Sequence, residues 1–331
     1  MAAIVAALLL ALWPSPPIRA AEAELAGLDA RLELIEIAHW LSVRPRLPKV
    51  VTHATRKYHE DYEKHFAGME NQAAVLLSGA LRPKSVEKKS REALYRARVA
   101  LGMADTGLPA AQVKRYRDAL VAFRHNSKFD VFFKKSAKHY DDEFRVFRDR
   151  LKKERYVADI ESYTRMPFNG EVRILFSPSL AILGTGYGDT VHIRRPGAPP
   201  VIYPYFNTLM LDDLRDAGLP EDIPLYIWHE VGHEIFEPLI EKHQKEIFKK
   251  LSDKDGGHYA RDIISQAVSI RLFAKRGGEK AAARQLGFED PPERALLTPL
   301  SKKLREYENH PEKYPTFADF FPVLLSALPN P

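Results

Sequence analysis

The sequence predicts an α+β fold: a helical N-terminal half packed with a small sheet and a second set of helices. Three observations lead there. Apolar residues recur at helical spacing through most of the first 165 positions, and short β-rich runs broken by Gly, Ser and Pro follow between 171 and 207. Helical periodicity then returns from Asp222 and again in GGHYARDIISQAVSIRLFAKRGG. No internal repeat or long low-complexity linker interrupts the chain. A helical portion, 24–165, and a rear portion, 166–331, are therefore expected to form one compact unit.

The elements read in order as follows. Residues 1–23 carry an apolar run from Ala2 to Trp13, a proline-rich break and small residues around Ala20 to Ala23. That run is too short to cross a bilayer and suits a secretory signal, so a bacterial periplasmic or secreted protein without a transmembrane segment in its mature chain is expected. In LDARLELIEIAHWL, Leu28, Leu32, Leu34, Ile35, Ile37, Ala38 and Leu41 form a broad apolar helix face. The next helical stretch breaks near Gly68, and its His59, Glu60, Glu63 and His65 read as solvated surface residues. Tyr116, Leu120, Phe123, Phe129, Phe132 and Phe133 read as packing residues of further helices. EVRILFS, DTVHI and VIYPYFN supply the strands. LGTGYG between them lacks either phosphate-loop pattern and reads as a tight turn.

Composition narrows the function. Of 331 residues 45% are hydrophobic and 28% charged, as in an ordinary globular protein. The net charge of +6 is dispersed among mixed-sign segments, so no nucleic-acid partner is expected. With no cysteine, disulfides and thiolate metal ligands are excluded.

The chemistry concentrates in WHEVGHEIFEPLI, residues 228–240. His229 and His233 stand one helical turn apart and share a face, while Glu230 adjoins that row. Two imidazoles suit Zn2+, and a carboxylate beside them can take a proton from a zinc-activated water, which is the logic of an HExxH zinc hydrolase. Asp222 and Pro224 suit the start of this helix. A third ligand is expected from Asp262, at the start of a helix whose Ile263, Ile264, Ala267, Val268 and Ile270 can dock against the first. Glu237, four residues after His233, is the rival, although Pro238 ends or kinks the helix there. His258 and Tyr259 precede Asp262 and can donate to an oxyanion. The β-rich segment 181–194 can lay a strand edge beside an extended peptide.

Taken together, RLELIEIAHWL, LGTGYG, WHEVGHEIFEPL and RDIISQAVSIRL make the chain resemble the gluzincin-like DUF4932 family over most of residues 25–325. The resemblance implies a zincin-like sheet and active-site helices, with His229 and His233 as ligands and Glu230 as general base. The chain departs from the family pattern at Glu237 and in offering Asp262 where the family offers a glutamate. The resulting expectation is a zinc-dependent endopeptidase acting on a peptide or unfolded protein. An inactive zinc-containing binding protein, or a zinc hydrolase of a nonpeptide amide, is the alternative.

Overall fold

The computed structural model describes residues 22–43, 53–80, 96, 98–100, 102, 109–179, 189–195, 197–207, 222–251 and 256–328. Within them the chain is mostly helical with a small four-stranded sheet, an α+β fold. The signal-like segment 1–23, apart from its last two residues, lies outside the described residues, as does LGTGYG. Among the described residues no helix is long and apolar enough to cross a membrane. The fold divides into two compact units, Glu22–Tyr156 with Val172–Glu230, and Val157–Glu171 with Val231–Pro331.

The first unit holds the sheet. Strand β1 (Glu24–Leu28) pairs in parallel with β2 (Glu171–Ser177). Strands β3 (Asp189–Ile193) and β4 (Val201–Asn207) pair antiparallel, and the order across the sheet is β1-β2-β4-β3. Strand β1 was not expected from the sequence. Its five residues include Ala and Gly, poor strand formers, and they become a strand through the ladder that β2 offers. Gly27 sits where the register shifts, at φ +79°, a conformation that an L side chain adopts only with strain.

Helix α1 (Ala30–Val43) is buried around its whole circumference. Leu32, Ile35, Ile37, Ala38, Trp40 and Leu41 are buried, and so are two acids, Glu33 and Glu36. Each acid has a partner. Arg96 clasps Glu36 through Nε and Nη2 at 3.0 and 2.9 Å. Glu33 accepts hydrogen bonds from the Tyr58 hydroxyl at 2.7 Å and the Ser179 hydroxyl at 2.9 Å. Burial outweighs these bonds, together with one from Ser177, and pushes the Glu33 carboxyl up to about 7.

Helix α2 (His53–His65) corrects one expectation. Glu60 is exposed, but His59 is buried and meets Trp40 edge-on at 6.4 Å. The apolar stripe of α2, carried by Tyr58 and Tyr62 at helical spacing, turns inward and takes His59 with it. Phe66 stacks on Phe123 of α4 (Ala110–Asn126) at 6.0 Å and meets Phe132 of α5 (Phe129–His139) at 5.0 Å. Helix α3 (Ala73–Ala80) lies against α1 and α4. Helix α6 (Asp141–Leu151) lies on β1 and sets Phe144 and Phe147 on Phe176, at 5.7 and 5.3 Å.

The second unit is helical. It takes in α7 (Tyr156–Thr164) from its second residue, the later part of α8 (Asp222–Lys242), and α9 (Gln244–Leu251). Helices α10 (Gly256–Gly277), α11 (Glu279–Phe288), α12 (Pro291–Asn309) and α13 (Phe317–Leu325) follow. Helix α10 is the hub, packed against α9, α11 and α12, with Ile263, Ile264, Ala267, Val268 and Ile270 buried. Phe317 of α13 closes on Phe236 at 4.8 Å, and Phe320 on Tyr307 at 5.2 Å. A buried Arg271 bonds Glu308 at 2.8 and 2.7 Å, and the Tyr163 hydroxyl donates to the same carboxylate at 2.9 Å.

Candidate metal centre

Among the described residues helix α8 runs from Asp222, with Pro224 near that end. It runs on through Pro238 to Lys242, so of the two outcomes the sequence allowed, an end or a kink, the helix does not end there. Pro238 is exposed and falls in the last turns. The rotation of the helix is set by its large side chains. Trp228 is fully buried, meets Tyr156 edge-on at 6.1 Å, and donates its indole N–H to the Tyr156 carbonyl at 3.0 Å. With Ile223, Ile227 and Val231 also buried, His229, Glu230 and His233 follow on an adjoining stripe, the first half-buried and the other two buried.

Helix α10 approaches the later part of α8 closely. A Cβ added at Gly232 would stand 3.0 Å from the Ser265 hydroxyl and 3.1 Å from a ring carbon of Phe236. The glycine inside HEVGH thus permits the helix contact. Two consecutive residues of α10 then meet two residues of α8 one turn apart. Asp262 places Oδ1 3.1 Å from His233 Nε2, and Arg261 pairs with Glu237. Between the two carboxylates weighed as third ligand, the one beside His233 is Asp262, and Glu237 serves the guanidinium.

Two groups of donors result. One atom from each of His229, His233 and Asp262 lies within 4.8 Å of the others, and the same holds for His192, Glu230 and His233. Either group can hold a divalent metal such as zinc. His192 was not foreseen, and no local pattern points to it. It sits in β3, opposite Ile202 of β4, and its Nε2 lies 2.9 Å from Glu230 Oε2. Tyr259 is half-buried in the first turn of α10, one turn before Asp262. His258 belongs to the same turn, with its side chain outside the described residues.

A family model described as a domain of unknown function, DUF4932, matches residues 97–327. The chain belongs to this family. No curated protein and no solved structure matches it.

Zinc fits the first group of the DUF4932 chain on two grounds. Tetrahedral zinc with bonds of about 2.0–2.1 Å sets its donors roughly 3.3 Å apart, close to the 3.1 Å between His233 and Asp262. Two neutral imidazoles and one carboxylate are also a donor set that catalytic zinc uses, with a fourth position left open. The second group contains a hydrogen bond, His192 Nε2 to Glu230 Oε2 at 2.9 Å, and with Glu230 ionised, able only to accept, Nε2 carries the proton.

Proposed function

We propose that this protein is a zinc-dependent metallopeptidase, an endopeptidase of zincin-like design that acts on peptides or unfolded proteins. The observation that carries the reading is that Asp262 of α10 comes within 3.1 Å of His233, which lies on the helix that also bears His229 and Glu230. His229, His233 and Asp262 would hold the metal. Bound there, zinc supplies a Lewis acid that polarises a carbonyl oxygen and makes water a better nucleophile.

Each residue then has a task. Glu230, buried on the same helix, takes a proton from the attacking water and returns it to the departing amine. Tyr259, one turn before Asp262 on α10, is a neutral donor suited to the oxyanion that forms when the carbonyl is attacked. The Arg261–Glu237 pair ties α10 to α8 next to the ligand pair and so limits how far Asp262 can move from His233.

The test separates holding a metal from using it. Purified protein should contain about one zinc per chain, and Glu230→Gln should keep that zinc while losing about 10²–10⁴-fold in hydrolysis of an unfolded protein substrate. A loaded wild type that cleaves neither peptides nor simple amides removes the enzyme reading and leaves a metal-holding protein. Cleavage of simple amides but not peptides moves the substrate to a nonpeptide amide.

A further inference from the structure

The second donor group contains a residue that the proposed reaction has not used. His192 lies next to the last position of β3, a strand registered along its length against β4 from Asp189↔Tyr205 to Ile193↔Val201. Its cross-strand neighbour Ile202 is fully buried, so His192 shares a covered face of the sheet, and its own side chain is 21% exposed. The preceding residue, Val191, is fully buried as well. The imidazole is thus mounted on an edge strand laddered to β4, with buried residues on both faces, and its Nε2 reaches Glu230 Oε2 at 2.9 Å.

We propose that His192 is a positioning residue for Glu230: its Nε2–H holds Oε2, so that Oε1 is the oxygen presented to the attacking water. The inference rests on the peptidase reading above. A glutamate side chain turns about three bonds, and only a narrow part of that range would bring an oxygen to a water on a metal that His229 and His233 would help to hold. A misplacement of about 1 Å can cost on the order of 10²-fold in rate. Fixing one oxygen from a strand laddered to β4 removes most of that freedom. The arrangement also assigns the tautomer. A carboxylate offers no proton, so Nε2 carries one. In this role His192 is not a metal ligand, which separates the two overlapping donor groups by function.

Two variants of the full-length, zinc-loaded chain test the assignment: His192→Ala, which removes the donor, and His192→Gln, whose amide N–H2 can replace Nε2–H. Zinc affinity is measured by competition with a chelator, the Co2+ absorption spectrum is recorded, and kcat and KM are measured on a peptide. His192→Ala should lower kcat about 10–100-fold with KM within about threefold of wild type. Its zinc affinity should stay within about threefold and its Co2+ bands should not move, because no ligand has changed. His192→Gln should recover kcat to within about threefold of wild type. Loss of zinc or shifted Co2+ bands in His192→Ala would make His192 a ligand and overturn the assignment. So would an active wild type whose kcat is matched by His192→Ala. Failure of His192→Gln to recover any rate overturns the hydrogen-bond basis. A loaded wild type that hydrolyses nothing removes the reaction itself and this role with it, a result distinct from the other three.

Discussion

His233 Nε2 and Asp262 Oδ1 stand 3.1 Å apart, although they are 29 positions apart in the chain, and the residue before Asp262 pairs with the residue one turn after His233. Helix α10 therefore engages α8 with two successive side chains of opposite charge. Asp262 and Glu237 consequently have different partners. Asp262→Ala should weaken zinc binding by more than about 100-fold, as expected for a lost ligand. Glu237→Gln should change it by less than about tenfold, because the amide still accepts from Arg261. Chelator competition on both variants checks this. The reverse order would place the third ligand at Glu237, and equal losses would refute the division of roles.

Gly232 tests the closeness of the two helices. Ordinarily a glycine within a helix costs about 1 kcal/mol relative to alanine, so replacing it should help. Here a Cβ would meet the Ser265 hydroxyl at 3.0 Å and the Ser265 Cβ at 3.2 Å. Gly232→Val should therefore destabilise by about 1–3 kcal/mol in urea unfolding, since two branches cannot be accommodated without moving α10. Zinc affinity should fall in parallel, because Asp262 travels with that helix. A valine variant of unchanged stability would mean that the helices separate without cost.

Glu33 makes stability depend on pH in a defined direction. Burial raises its carboxyl from 4.5 to about 7, so between those values the folded chain holds a proton that the unfolded chain has lost. Its contribution is fully present below about pH 4.5 and is lost as pH rises through about 7, with an upper bound of about 3 kcal/mol. Glu33→Gln cannot lose that proton. Its stability should fall less than that of wild type between pH 5 and pH 8 in urea titrations, and at pH 8 the variant should be the more stable protein. Parallel profiles for the two chains would refute the linkage.

Arg271 illustrates how exposure decides the worth of an ion pair. It bonds both Glu308, whose side chain is 12% exposed, and Glu279, which is 54% exposed. Arg271→Ala leaves the half-buried Glu308 carboxylate beside Tyr163 without its cation and should cost about 2–3 kcal/mol in chemical unfolding. Glu279→Gln should cost less than about 1 kcal/mol, since solvent screens that arm. Similar losses from the two substitutions would contradict this division.

What could be read from the chain was local. The apolar face of α1, the run of buried residues in α10 and the one-turn spacing of His229 and His233 all follow from a period of 3.6 residues. That period relates each residue to neighbours three or four places away. Local reading also had limits. Pro238 does not interrupt α8, and His59 goes inward because the aromatic side chains beside it do.

The sequence by itself determined the α+β class, the helices that carry the candidate ligands and the presence of two imidazoles on one face. Only the tertiary structure decided which carboxylate joins them, that a histidine from a strand holds Glu230, and that the Ala- and Gly-containing segment Glu24–Leu28 is a strand. The reason is the range of the interactions. Helix periodicity comes from backbone geometry within one turn, whereas His192 meets Glu230 across 38 residues and β1 meets β2 across nearly 150. Such contacts depend on how the intervening chain packs. No short stretch of sequence carries that information.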